Sequence, residues 1–584
     1  MTTKRTKLIR MISALTALSL LTACGGASDM ETASGDSGMT KLYPETTAAN
    51  NALYETMPEM IQSPYDTPKG DTYEDEAPAA EEAYDFEQCV EEAAPAADDS
   101  FYTVHETVHE EYNTEEYIYI EENGYTAVSS APLSTFSADV DTASYTNIRR
   151  MIYDGYDIPP EAVRIEEMIN YFDYHYSDPE NNEPFAVHAE LSDCPWNKDT
   201  ELLMIGINTK SADSLLDERE PMNLVFLIDV SGSMYSEDKL PLVQKSFSML
   251  TDNLSSRDRI SIVTYAGSDE VVLEGADGND RQRVLDAINS LEAGGSTAGA
   301  AGINTAYEIA EKYYIKGGNN RVILATDGDL NVGLSSESEL TELIEEKRES
   351  GVFLSVLGFG SGNLKDNKLE ALADHGNGNY SYIDSEREAQ KVLVDEMSGT
   401  LYTAAKDVKF QLEFNPANIK GYRLIGYENR TMAAEDFNDD TKDAGEIGAG
   451  HSVTVLYELV PVDSPMEIGS DLKYSANSDS KKMGKELLTV NIRYKDPDGS
   501  ESKLLSYPVE RSLYSKTKSE NMTFAAAVAE FGMLLRNSRY IGDITYSNIA
   551  TQLSEYDYHS DEFKDEFVYL VNTMKRRAAN NYDD

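Results

Sequence analysis

"LVFLIDVSGSMYSEDKLP", residues 224–241, decides the fold. Its first five residues are apolar without interruption, the composition of a strand covered on both faces, and Asp229 falls where that strand ends and a loop begins. Asp229, Ser231 and Ser233 alternate along the loop, so their oxygens can converge on one point above the sheet edge. A helix follows, in which Leu240, Val243, Phe247, Leu250 and Leu254 recur at spacings of three and four and mark one buried face.

Downstream the pattern repeats. Strand "RISIVTY" (259–265) and a short "EVVLE" precede helices carrying Val284, Leu285, Ile288 and Leu291, then Ile303, Ala306, Tyr307 and Ala310. Strands "RVILAT" (321–326), "VFLSVLGFG" (352–360) and "NYSYI" (379–383) alternate with helices around Leu340, Leu343 and Ile344 and through Val392, Leu393 and Leu401. Continuous apolar strands separated by amphipathic helices predict an α/β fold, a doubly wound, mostly parallel sheet whose ligands bind at the carboxyl ends of the strands. Two more loops reach that edge: "GGSTAG" (294–299) offers Thr297, and "ATDGD" (325–329) offers Asp327. Two carboxylates and three hydroxyls with no soft donor suit a hard dication, Mg²⁺ first, with Mn²⁺ or Ca²⁺ also admissible. Two carboxylates balance such an ion, which keeps the power to recruit a further acid.

At these residues the sequence resembles the von Willebrand factor A domain, and Asp229, Ser231, Ser233, Thr297 and Asp327 match its metal ion-dependent adhesion site position by position. The resemblance implies a binding module in which a protein partner's Asp or Glu completes the metal's coordination. "STFSADVDTASYTNIRR", "ILATDGDLNVG", "VLGFGSGNLKDNKLEALADHGNGNYSYID" and "LIGYENR" extend it, from about Ser134 to the end, to the bacterial YfbK-type von Willebrand factor A lipoproteins.

The flanks divide the remaining chain. Lys4, Arg5, Lys7 and Arg10 precede a 13-residue apolar run, Met11–Ala23, too short to span a bilayer as a mature helix and typical of a secretory signal. It ends in Leu21-Thr22-Ala23-Cys24, which resembles the bacterial lipobox and implies lipidation at Cys24, an extracytoplasmic location and a membrane anchor. Loss of residues 1–23 moves the formal charge from −56 to −60, which repels nucleic acid and anionic headgroups alike. Residues 25–130 hold 26 acidic and two basic side chains with no sustained apolar period, so 24–130 is expected to be a disordered stalk, its tyrosines forming at most a short strand near the body. An N-terminal domain of helices and strands (131–215), the A domain (221–404) and a C-terminal β-sandwich with helices (405–584) complete the expected division. Because 184–210 and 406–510 both read as strands, we expect them to pair, with the A domain inserted into the sandwich. Phe524, Val528, Phe531 and Leu535 share one helical face that packs on the body.

Other motifs carry less. "HETVH" (105–109) has zincin spacing, His105 and His109 as ligands and Glu106 as base, but lies in text poor in helix and core formers. "DVD" before Thr142 could suggest phosphoryl transfer at Asp139 and Asp141, yet no apolar strand leads into it, and a helix N-cap cluster fits better. Asp498-Gly499 reads as a hairpin turn rather than a calcium loop. Besides Cys24, only Cys89 and Cys194 remain, too few for a disulfide scaffold. No phosphate-cradling Gly-x₄-Gly-Lys-Ser/Thr, no Gly-x-Ser-x-Gly elbow and no Cys/His pair in the folded body points to an enzyme. A non-enzymatic binding module is therefore expected, with an envelope scaffold carrying a non-essential metal site, or a metal-dependent hydrolase, as alternatives.

Overall fold

The computed structural model describes residues 113–138, 141–180, 183–210, 220–296, 299–328, 337–396, 403–442, 444–468, 484–497 and 499–580. The signal segment, Cys24, Cys89, the His105–His109 motif, Asp139, Thr297 and Asp498 lie outside them. All described residues belong to one unit, His105–Asp584.

The central sheet runs in space Tyr380–Ile383, Phe353–Phe359, Asn319–Thr326, Met222–Asp229, Arg259–Tyr265, Asp269–Asp277, the last strand antiparallel and the others parallel. Alternate side chains of Met222–Asp229 enter two separate cores. Leu224, Phe226 and Ile228 pack with Val243, Phe247 and Ile288 on one face; Val225 and Leu227 pack with Ile303, Tyr307 and Ala310 on the other. That is why the strand reads as an unbroken apolar run, each buried side chain contributing ~1.5–3 kcal/mol.

The antiparallel sandwich has two sheets. One orders Thr126–Ala127, Ile419–Ile425, Ser452–Pro461, Glu201–Thr209 and Phe185–Asp193; the other orders Thr431–Met432, Leu133–Ser137, Thr403–Phe414, Glu486–Lys495 and Ser502–Glu510. Asn208 lies opposite Ser452 and Ser137 opposite Lys409, so segments before and after the A domain share both sheets. The described parts of 131–215 and 405–584 are thus interleaved in space, and the A domain stands in the chain between strands ending at Thr209 and beginning at Thr403.

Two expectations need correction. The segment 113–130 is part of the body rather than of a disordered stalk. Glu115 binds Arg150 at 2.9 Å, Glu116 binds Lys365 at 2.8 Å, and Thr126–Ala127 adds an edge strand beside Gly421 and Tyr422. Two of the segment's acids, Glu115 and Glu116, are thus countered by cations, and the Tyr117 hydroxyl accepts from Asn147 at 2.7 Å. The helix Glu520–Leu535 buries not one face but nearly its whole circumference, from Met522 to Met533. It is the centre of a helical layer with Ala143–Asp154, Ile165–Asn170, Tyr546–Leu553 and Glu562–Asn580 that covers the outer face of the five-stranded sheet through Leu202, Met204, Ile425 and Leu456. Covered on both sides, strand Glu201–Thr209 is buried at every position.

Arginines join the A domain to this frame. Arg149 meets Asp384 and Glu388, Arg164 meets Asp366 at 2.6 Å, and Arg430 meets Asp374 at 2.6 Å and Asp141 at 3.0 Å. Asp141 therefore accepts from Arg430 and from the Tyr380 backbone N–H. The helix does begin at Ala143, but Thr142 makes no side-chain cap; Glu167 accepts from the Ser144 N–H instead.

Candidate metal centre

Asp229 ends its strand wholly buried, and its two oxygens have separate tasks. Oδ1 accepts from the Ser231 N–H at 2.9 Å, which curls the loop back over the strand; Oδ2 accepts from the Thr326 hydroxyl at 3.2 Å. The Ser231 and Ser233 hydroxyls lie 3.0 Å apart, Ser231 buried and Ser233 exposed. Met234, fully buried, plugs the loop into the core, while Tyr235 beside it is 83% exposed.

Asp327, also fully buried, follows the adjacent strand and is hydrogen-bonded by Ser233. Gly328 turns away from it at φ +101°, and a Cβ there would lie 2.5 Å from the Lys365 nitrogen, so only glycine fits. The loop leading to Thr297 is tied to the Asp229 loop by Gly294 N–H to the Val230 carbonyl (2.7 Å) and Gly232 N–H to the Gly295 carbonyl (3.1 Å). Four of the five expected residues, Asp229, Ser231, Ser233 and Asp327, thus gather at one edge; Thr297 lies outside the described residues.

Lys239, Thr326 and Asn363 were not among the residues singled out from the sequence. Lys239 Nζ donates to Asp327 Oδ2 at 2.9 Å and to Asn363 Oδ1 at 3.1 Å. Its signal was faint: a lysine just before Leu240-Pro241, where a helix begins, reads as solvent-facing. Thr326 stands one residue before Asp327 in the quoted "ATDGD" and could have been noticed as a hydroxyl at the strand end.

The two acids differ in electrostatics. Burial pushes the Asp229 carboxyl up to about 6; the Ser231 hydrogen bonds oppose the rise and the charge of Asp327 adds to it. Burial would raise Asp327 too, but the Lys239 ammonium overrides it and holds that carboxyl below its ordinary range. Among the described residues Asp229 has no Lys or Arg within ion-pair distance. A buried carboxylate without a cation, ringed by hydroxyls beside a second carboxylate, is a donor set that fits a hard dication. A thiol nucleophile is not on offer at Cys194, whose thiol burial pushes far up.

A second group of buried carboxylates, Asp141, Glu167 and Glu370, brings oxygens within 4.8 Å of one another. Arg164 and Arg430 already lie among them.

Comparisons with known proteins identify relatives of the chain. The family model for the von Willebrand factor type A domain matches residues 223–396, one described as von Willebrand factor matches 111–204, and one for the YfbK C-terminal region matches 399–576. The uncharacterized protein YfbK of Escherichia coli (strain K12) is 43% identical over 468 residues, 78% of this chain and 80% of its own length. Human inter-alpha-trypsin inhibitor heavy chain H3 is 28% identical over 197 residues, 32% of this chain and 22% of that protein. Among solved structures, a von Willebrand factor type A protein from Catenulispora acidiphila covers 62% of this chain and 80% of its own at 17% identity, with a TM-score of 0.37.

Proposed function

The chain belongs to the YfbK family of proteins with a von Willebrand factor type A domain, and from that membership we propose that it is a binding module, not an enzyme, that grips an acidic group of a protein partner through a divalent cation. Asp229, Ser231, Ser233 and Asp327 would hold the ion, joined by Thr297 on the strength of the family motif. Bound there, Mg²⁺, or Mn²⁺ or Ca²⁺ in its place, supplies an electrophilic point that a carboxylate from outside can complete. The observation that carries this reading is Asp229, fully buried, hydroxyl-ringed and without a basic partner among the described residues.

The chain's own residues prepare the site. Ser231 N–H and the Thr326 hydroxyl fix the Asp229 carboxylate, Lys239 fixes Asp327, and exposed Tyr235 offers a ring for a partner to cover. The leader and Cys24 support an extracytoplasmic protein lipid-anchored to a bacterial membrane, and the charge of −56 argues against nucleic acid as a partner.

Isothermal titration of the purified chain and of Asp229→Ala with Mg²⁺, Mn²⁺ and Ca²⁺ tests the metal site; crosslinking in intact cells, wild type against Thr297→Ala, tests the partner. Saturable binding abolished in Asp229→Ala, with one adduct lost in Thr297→Ala, is the expected result. The Lys239–Asp327 ion pair favours one other reading, an envelope scaffold whose lysine supplies the positive charge, and absence of ion binding would select it.

A further inference from the structure

At the other edge of the parallel sheet, where its strands begin, a cavity of ≈ 550 Å³ opens between the A domain and the sandwich. Arg321, third residue of strand Asn319–Thr326, lines it. Asp327 comes six positions after Arg321, which sets the cavity ~20 Å from the metal edge. The two places are distinct.

Arg321 is 3% exposed, and its Nη1 donates to the Ser355 hydroxyl on the next strand. Its Nε–H has no acceptor, and no Asp or Glu among the described residues lies within ion-pair distance of it. Arg149, Arg164 and Arg430, buried like it, each meet two or more carboxylates. Burial without such a partner pushes the Arg321 guanidinium down to about 10, with Glu446 the acid whose field opposes the fall. A buried guanidinium without a carboxylate partner is costly, and its planar fork of donors matches an oxyanion.

The surroundings share that sign. In a chain of 49 basic and 105 acidic residues, this cavity is lined by four Lys and Arg side chains against three Asp and Glu. All three acids are engaged, Glu345 by His375 at 2.9 Å, Asp374 by Arg430 at 2.6 Å and Glu446 by Asn377 at 3.4 Å, and of the four bases Arg430 is itself held by Asp141, Glu370 and Asp374. Lys442 stands exposed at the mouth, and its volume is that of a small-molecule site.

We propose that this cavity binds a small oxyanion, a carboxylate or phosphate compound, with Arg321 as its anchor and Lys442 as its outer contact. The purified chain is titrated calorimetrically with inorganic phosphate and, separately, with citrate, which distinguishes the two chemistries. Saturable binding of at least one probe is expected, weakened at least about tenfold in Arg321→Gln and about threefold in Lys442→Ala, and unchanged in Asp229→Ala. Lys442 is exposed, so its variant folds whatever Arg321→Gln does. The proposal is overturned if neither probe binds up to about 10 mM, or if Lys442→Ala binds as tightly as wild type. Because Asp229→Ala removes the metal site alone, loss of anion binding and loss of metal binding are read separately.

Discussion

Asp229 with Asp327, and Asp141 with Glu167 and Glu370, are two groups of buried carboxylates in one protein, and they differ in what stands opposite them. The second group is threaded by the guanidinium groups of Arg164 and Arg430, which stay charged at any physiological pH, although burial still pushes Glu167 up to about 8 and raises Glu370. The first has a single ammonium, placed on Asp327, and hydroxyls around Asp229. Proximity and burial are alike in the two groups; the number of basic partners is what sets the proposed metal site apart from the structural joint. Glu530 shows a third solution. It sits 1% exposed in the apolar helical layer, its Oε1 has no partner, and burial pushes its carboxyl up to about 8, so it is accommodated by a proton.

The comparison can be broken most forcefully at Arg164. Arg164→Met leaves Glu167, Asp366 and Glu370 short of a buried cation, and the expected loss of stability is ~3–5 kcal/mol, read by chemical denaturation. An effect no larger than that of a surface substitution would mean that the network is dispensable. Glu530 gives the next largest change, in pH dependence. Its folded value lies above its unfolded one, so the stabilisation is present at low pH and is lost as pH rises toward 8; from about pH 5 to about pH 7 wild type should lose ~3 kcal/mol relative to Glu530→Gln. Parallel pH profiles would contradict the proton assignment.

At the metal edge, Asp229→Asn should lower divalent-ion affinity by more than ~100-fold, beyond the usual cost of altering an outer partner, yet leave metal-free stability equal or improved, since it removes an uncompensated buried acid. Calorimetry and denaturation on the same samples check both halves. Lys239→Met sharpens the contrast with the smallest effect: removing the competing ammonium should strengthen ion binding by up to ~10-fold, seen as a leftward shift of the Mn²⁺ titration. A weakened site would show instead that Lys239 serves chiefly to hold Asp327 in place.

The A-domain sheet and the oxygen-bearing loops were legible because both acidic ligand candidates directly follow an apolar strand, as Asp229 follows "LVFLI" and Asp327 follows "RVILAT". The insertion was legible for a related reason, since strands flank the A domain on both sides. What stood hidden depends on distant partners. Arg149 in "NIRRMIY" and Arg164 in "VRIEE" look like surface charges, and only carboxylates 235 and 202 residues further on make them interior. The stalk boundary failed similarly: Glu115 is one acid among many until Arg150 is folded against it. Helix Glu520–Leu535 was recognised, but a periodic stripe of large residues says nothing about the alanines between them, which here are covered as well.

The A domain leaves the sandwich from strand Glu201–Thr209 in one sheet and rejoins it at Thr403–Phe414 in the other. A pull on the A domain therefore has a path into each of the two sheets, and the contacts of Arg149, Arg164 and Arg430 with its helices add a third. The molecule is built as a handle riveted through two plates.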